Sequence, residues 1–174
     1  MSSVITPKSV ARAGGRFSAG QALRIASIHR EDALPVRQLS DELATRNVDA
    51  HLTTDTSSAD ILIRRSREIS HPEGYRLRIA EGGVDLRAAT PAGVYYGVQT
   101  LRELFREHGT TIPAMTINDE PGIARRGFYL DCSRGKVPTL ATLFSLIEHL
   151  GHWKINELQL YVENVFQFAR HPRI

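Results

Sequence analysis

The 174-residue sequence predicts an α+β domain, a sheet with helices on one face, followed by a strand–helix–strand unit of a parallel sheet. Three observations carry this. Tyr75, Leu77 and Ile79 alternate with Arg76 and Arg78, Glu81-Gly82-Gly83 makes a tight turn, and Val84, Leu86 and Ala88 alternate with Asp85 and Arg87; this is a β-hairpin with one buried face. A strong helix follows, with Thr90 as N-cap, Pro91 at the first helical position and Gly109 after the last turn. Beyond Asn118-Asp119-Glu120-Pro121-Gly122 the pattern changes to strand, helix, strand.

The other elements follow in order. A short 8–12 segment is an edge strand, and Gly14-Gly15 marks a turn. Residues 21–28 alternate weakly as a strand. Pro35 opens a helix over 35–46 with Val36, Leu39 and Leu43 on one face, and Asn47 is its stop. Ile61, Leu62 and Ile63 form a short apolar strand over 60–64. Val94, Val98, Leu101 and Phe105 are the apolar stripe of the helix over 91–108, and a strand follows over 112–117. In the last third, 127–131 is a strand and 138–150 a helix stopped by Gly151. The strand over 157–162 completes the unit. The predicted domains are 1–120 and 121–174. Two parallel strands alone leave open edges and cannot bury both faces, so the second segment reads as the start of something larger.

Composition narrows the function classes. Hydrophobic residues make up 41% and charged residues 24%, values of a globular chain rather than a disordered one. No apolar run approaches the ~20 residues of a membrane span. Residues 1–9 contain no secretion signal, which places the expected protein in the cytoplasm. Cys132 is the only cysteine, so no internal disulfide forms. The net charge of +3 raises the question of an anionic partner, but basic and acidic residues are interspersed. No aromatic interleaves with the longest basic cluster, Arg64, Arg65 and Arg67, so nucleic acid is not expected.

Several clusters invite catalytic or metal readings and fail them. Asp119-Glu120 is an adjacent acid pair, read as a solvated turn. Asp41-Glu42 is read as a pair in the first turns of a helix, where acids favour the dipole. His149 and His152 share a helix face without a third ligand, so no metal or cofactor is expected. Cys132 follows a strand end and reads as a small core residue.

Three segments carry a family resemblance. The run ATPAGVYYGVQTLREL over 89–104 resembles the last helix of the small α+β domain preceding the barrel in glycoside hydrolase family 20, the β-N-acetylhexosaminidases. RRGFYLDCSRGKVP over 125–138 resembles the first strand of the family's (β/α)8 TIM barrel, and WKINELQLYVEN over 153–164 resembles the second. All three occur in the family's order and at nearly its spacing. The resemblance implies an N-terminal fragment of a glycosidase that removes terminal N-acetylhexosamines from glycans with retention, the substrate's own acetamido oxygen acting as nucleophile. It implies that the catalytic Asp–Glu pair lies beyond Ile174 and that the chain alone is inactive, since a whole barrel needs about 250 residues.

Carried over residue by residue, Arg134 matches the family's sugar-binding arginine at the first strand end, with Asp131 orienting the loop. In the second strand, Asn164 stands where the family has an aspartate, and its neighbour Glu163 is the candidate to take over. That departure leaves open a glycosidase acting on a different sugar. A different-class alternative is a non-catalytic carbohydrate- or protein-binding module, with exposed strand edges as a route to a dimer.

Overall fold

The structure, a computed structural model, describes residues 6–163 and 169–171. It divides into two compact units, Met1–Gly122 and Ile123–Ile174.

The first unit is an α+β sandwich built on one mixed sheet. Its strands are β1 (Ser9–Ser18), β2 (Ala22–Ser27), β3 (Asp49–Thr53), β4 (Ile61–Arg65), β5 (Tyr75–Ala80), β6 (Gly83–Ala88) and β7 (Thr111–Asp119). They lie in the order β1-β7-β5-β6-β4-β2-β3. The β1–β7–β5–β6 half is antiparallel, and β6, β4, β2 and β3 run parallel. Parallel neighbours need crossovers. Helix α1 (Ala33–Ala44) supplies the one between β2 and β3, and α2 (Pro91–His108) links β6 to β7.

Strand period two puts every apolar set on the same face. Leu23, Ile25, Ile61, Ile63, Leu77, Leu86 and Ile117 are all buried there, under Val36, Leu39 and Leu43 of α1 and Val94, Val98, Leu101 and Phe105 of α2. Each large side chain so buried contributes about 1.5–3 kcal/mol. The α2 ends are those the sequence predicts. Thr90 Oγ1 accepts from the backbone N–H groups of Ala92 and Gly93, and donates to the Pro72 carbonyl at 2.5 Å. Gly109 closes the helix at φ 67°.

The glycines on the inner face of α2 set how close it lies. A Cβ on Gly93 would meet the backbone oxygen of Gly74, and one on Gly97 would meet the Leu86 side chain. Their i, i+4 spacing puts both on one side of the helix. Tyr75 fills the same contact, and its buried hydroxyl donates to Asp119 Oδ2 at 2.8 Å and lies 2.6 Å from Thr100 Oγ1. Burial, then the negative charge of Asp119, pushes the Tyr75 phenol well above its usual range.

The buried acids inside the sandwich are paired with arginines. Asp32 is fully buried and accepts from Arg65 Nη2 at 2.6 Å and Ser27 Oγ at 2.9 Å, tying the end of β2 to β4. Glu42 is buried between the helices, 2.7 Å from both Arg46 Nη1 and Arg106 Nη2, with Arg102 Nε at 3.5 Å. Burial raises its carboxyl pKa, but the hydrogen bonds from Arg106 and Arg46 outweigh that and hold it below the usual carboxylate value.

Several sequence expectations are corrected. Gly14-Gly15 is no turn: β1 runs through it, and the pairing to β7 shifts register between Arg12 and Arg16, with Gly15 at φ 93°. Strand β3 is absent from the sequence expectations, because Asp49–Thr53 is a largely exposed edge strand whose apolar face consists only of Ala50 and Leu52. Helix α1 begins at Ala33, continuing a 3-10 turn over Arg30–Asp32, so Pro35 sits inside its first turn. It ends at Ala44, which puts Asp41 and Glu42 in the last turn; arginines, not the dipole, account for Glu42. Asp119 is the last residue of β7 and holds Tyr75, so Asp119-Glu120 is not simply a solvated turn.

The second unit has β8 (Gly127–Asp131), α3 (Leu140–His152) and β9 (Glu157–Tyr161), with β8 and β9 parallel. Thr139 caps α3 by accepting from the Thr142 N–H. Gly151 does not stop the helix; it lies in the last turn, and the chain leaves the helical path through Lys154 at φ 59°. Asn156 braces the strand starts, accepting from the Arg126 N–H and donating to the Ala124 carbonyl. Among the described residues no helix is long and apolar enough to cross a membrane.

Two stability predictions follow from this packing. Glu42→Gln leaves three guanidinium groups facing a neutral amide, and is expected to cost about 2–3 kcal/mol at pH 7 in chemical unfolding. Because the folded pKa is depressed, the stabilisation is present above the unfolded value near ~4.3 and is lost as pH falls through the folded value, so the variant's deficit shrinks in acid. Gly93→Ala must displace backbone and is expected to cost about 1–3 kcal/mol, read as a lowered unfolding midpoint.

Candidate functional site

Parallel strands expose their functional groups at their carboxyl ends, so the ends of β8 and β9 are where the second unit gathers its chemistry. Strand β8 ends on Asp131, and Ser133, Arg134 and Gly135 follow in a loop that turns at Gly135, φ 76°. Asp131 organises that loop. Its Oδ1 accepts from the backbone N–H of Ser133 at 2.8 Å and of Arg134 at 3.1 Å, and its Oδ2 accepts from Arg134 Nε at 3.0 Å. The Ser133 N–H bond, then the Arg134 N–H bond and the guanidinium charge, outweigh burial and hold the Asp131 carboxyl below its usual value.

Arg134 is thus tied at Nε, with its side chain 68% exposed. Its guanidinium carbon lies 5.2 Å from the centre of the Tyr161 ring, a cation–π distance. The terminal Nη groups have no hydrogen-bond partner among the described residues. They leave a planar fork of donors turned to solvent at a strand end, suited to vicinal hydroxyls or a carboxylate.

Strand β9 supplies the other side. Tyr161 is its last residue, and its ring stands 5.8 Å from that of Tyr129 on β8. The Tyr161 hydroxyl donates to Glu163 Oε1. The Glu163 N–H donates to Ser133 Oγ at 2.6 Å, linking the two loops. The hydrogen bond to Glu163, then burial and the Glu163 charge, push the Tyr161 phenol up to about 12. It stays protonated, a donor, throughout the neutral range.

Of the three residues singled out from the sequence, Arg134 and Glu163 therefore stand in one cluster with Asp131, Ser133 and Tyr161. Asn164 lies outside the described residues. Tyr161 carries no motif of its own, although its place as the last residue of an alternating strand marks it as facing the same end as Asp131, its register partner. Cys132 is buried, consistent with a packing role. Among the described residues no group of three His, Cys, Asp or Glu could hold a metal ion, and the Nδ1 of His149 is engaged with the Ser145 carbonyl at 2.6 Å.

The cluster yields a spectroscopic prediction. Removing the Glu163 charge by Glu163→Gln is expected to bring the Tyr161 phenol down from about 12 toward the usual ~10. The alkaline absorbance titration, taken as the difference from Tyr161→Phe, reads this; an unchanged midpoint contradicts the pairing.

Known proteins resemble much of this chain. Residues 3–120 match the family model described as glycosyl hydrolase family 20, domain 2. The chain is 32% identical over 128 residues to a β-N-acetylhexosaminidase of Cellulomonas fimi, a match covering 71% of this chain and 26% of that protein. It aligns with the Streptomyces plicatus N-acetyl-β-hexosaminidase, solved in complex with Thio-NAglucal, at TM-score 0.81 and 28% identity, covering 90% of this chain and 33% of that one. The β-N-acetylhexosaminidase of Bacteroides fragilis shares the fold at TM-score 0.83 over 97% of this chain, at 23% identity. The chain thus spans about a quarter to a third of the length of these relatives.

Proposed function

The chain belongs to glycosyl hydrolase family 20, and on that premise we propose that it is the part of a β-N-acetylhexosaminidase that carries domain 2 and the first strand–helix–strand of the catalytic barrel. Glycosidase homologues over most of its length support a hexosaminidase fragment. The observation that carries the finer reading is the strand-end cluster: a donor fork at Arg134, positioned by Asp131, beside Tyr161 and Glu163.

Support for the barrel comes from what β8, α3 and β9 leave uncovered. Tyr129 on β8 and Leu160 on β9 are 54% and 43% exposed, and Phe144 and Ile147 on α3 are 58% and 50% exposed. Apolar side chains on both faces of parallel strands are the pattern of a sheet buried on both sides.

In this reading the terminal sugar binds across the carboxyl ends of the strands. Arg134 donates its Nη hydrogens to sugar hydroxyls, and Asp131 fixes the fork so that little orientational freedom is lost on binding. Tyr161, held as a donor by Glu163, borders the same end. Cleavage proceeds by substrate assistance. The acetamido oxygen attacks the anomeric carbon as the glycosidic oxygen leaves with a proton from a glutamic acid. Water then opens the cyclic intermediate at the anomeric carbon, giving a proton back to that glutamate, with net retention. The Asp–Glu pair that steadies the acetamido group and gives the proton lies outside residues 1–174.

The test uses a chromogenic N-acetylglucosaminide. The gene product that contains this chain together with a complete barrel is expected to turn it over, and the 174-residue chain is not. In the active protein, Arg134→Ala is expected to lower kcat/KM by about 10–100-fold, the effect of losing charge-assisted bonds of ~1.5–3 kcal/mol. Turnover by the 174-residue chain alone, or an unchanged kcat/KM in the variant, contradicts the reading.

A further inference from the structure

The sheet face opposite the helices is not neutral. Cross-strand register places Arg64 on β4 opposite Arg87 on β6, and Arg87 opposite Arg76 on β5. Three arginines therefore form a straight row across three adjacent strands, about 4.8 Å apart. One step along, Arg78 stands opposite Asp85. Like charges directly opposite in a sheet are destabilising unless something neutralises them.

Neutralisation among the described residues is incomplete. Asp85 accepts from Arg64 Nε and Nη2 at 2.9 and 2.8 Å, and from Arg87 Nε at 2.8 Å. Burial raises the Asp85 carboxyl pKa, but the bonds from Arg64 and then Arg87 outweigh it and hold it below its usual value, so one carboxylate charge faces two guanidinium groups. Glu68 adds only a 3.5 Å contact to Arg87. Arg76 and Arg78 have no carboxylate partner among the described residues. A depression of about 120 Å³ is walled by Arg76, Arg78, Asp85 and Arg87. It shares Arg76 and Arg87 with a larger cleft of about 410 Å³ that is lined as well by Lys8 and Asn118 and by the acids Glu68, Asp119 and Glu120, so the positive character is concentrated at the smaller depression.

We propose that this arginine row binds an anionic glycan, a polysaccharide bearing sulfate or carboxylate groups, on the outer face of the sheet. Guanidinium forks match such oxyanions two hydrogen bonds at a time. A single-stranded nucleic acid would want aromatic platforms along the row, and the row and its depression contain none. The choice of a glycan over other polyanions rests on the glycosidase reading above, whereas the anion site itself rests only on the arginines.

Calorimetric titration of the 174-residue chain with chondroitin sulfate tests this, with neutral dextran and single-stranded DNA as comparisons. Saturable binding to chondroitin sulfate is expected, weakening as salt rises, with none to dextran. Arg76→Ala with Arg78→Ala is expected to bind about tenfold more weakly at an unchanged unfolding midpoint, since both side chains are exposed. If that double variant is less stable, Arg78→Gln alone is expected to weaken binding about threefold. No binding to chondroitin sulfate, affinity unchanged in the variants, or tighter binding to DNA overturns the proposal. Because no turnover is measured, failure here leaves the glycosidase test standing, and the reverse also holds.

Discussion

The first unit depends on one contact, the seating of α2 on the β5–β6 hairpin. Gly93 and Gly97 let the helix approach until Leu86 and the Gly74 backbone fill the space a side chain would take. That approach brings Thr100 to the Tyr75 hydroxyl, and Tyr75 in turn reaches Asp119 at the end of β7. The same helix carries Arg102 and Arg106 to Glu42 on α1, so the two helices are joined by charge where they cover the sheet. Helix packing, strand registry and the interhelical carboxylate thus share one origin. A single added methyl at Gly93 is felt by all three.

The second unit works differently. It buries little, and its order comes from polar braces at the two ends of its strands. At the amino ends, Arg125 holds Glu157 with bonds of 2.6 and 3.1 Å, and Asn156 spans to residues 124 and 126. At the carboxyl ends, Asp131 arranges the β8 loop while Glu163 and Ser133 link it to β9. The braces leave the middles of both strands and one side of α3 apolar and uncovered. That division, polar ends around an apolar waist, supports the proposal that these strands belong to a barrel and present their carboxyl ends to a sugar.

The sequence makes some of this legible and hides the rest for identifiable reasons. The hairpin, the Thr90 cap and the Gly109 stop depend on neighbours within a few residues, and they are where local patterns put them. The Gly14-Gly15 pair misleads because a dipeptide permits a turn or a bulge, and only pairing with β7 decides between them. Strand β3 has only Ala50 and Leu52 to announce it, since it pairs at an edge and stays largely exposed. Glu42 looks like a surface acid because the arginines that make its burial tolerable come partly from α2, some 60 residues on. The arginine row has the same character: Arg76 and Arg87, like Arg78 beside them, read as the polar face of a hairpin, while Arg64 joins the row only through the parallel pairing of β4 with β6. In the strand-end cluster, Arg134 is legible through the motif that carries it. Tyr161 becomes significant only once β9 lies beside β8.

The central claim is that a terminal N-acetylhexosamine binds at the carboxyl ends of β8 and β9, against Arg134. A crystal structure of the full gene product with N-acetylglucosamine bound tests it most directly. The account predicts the sugar with hydroxyl oxygens within about 3.2 Å of the Arg134 Nη atoms, and the Arg134 Nε bond to Asp131 intact. A sugar bound in the catalytic barrel with Arg134 turned away, or separated from it by a shell of protein, contradicts it.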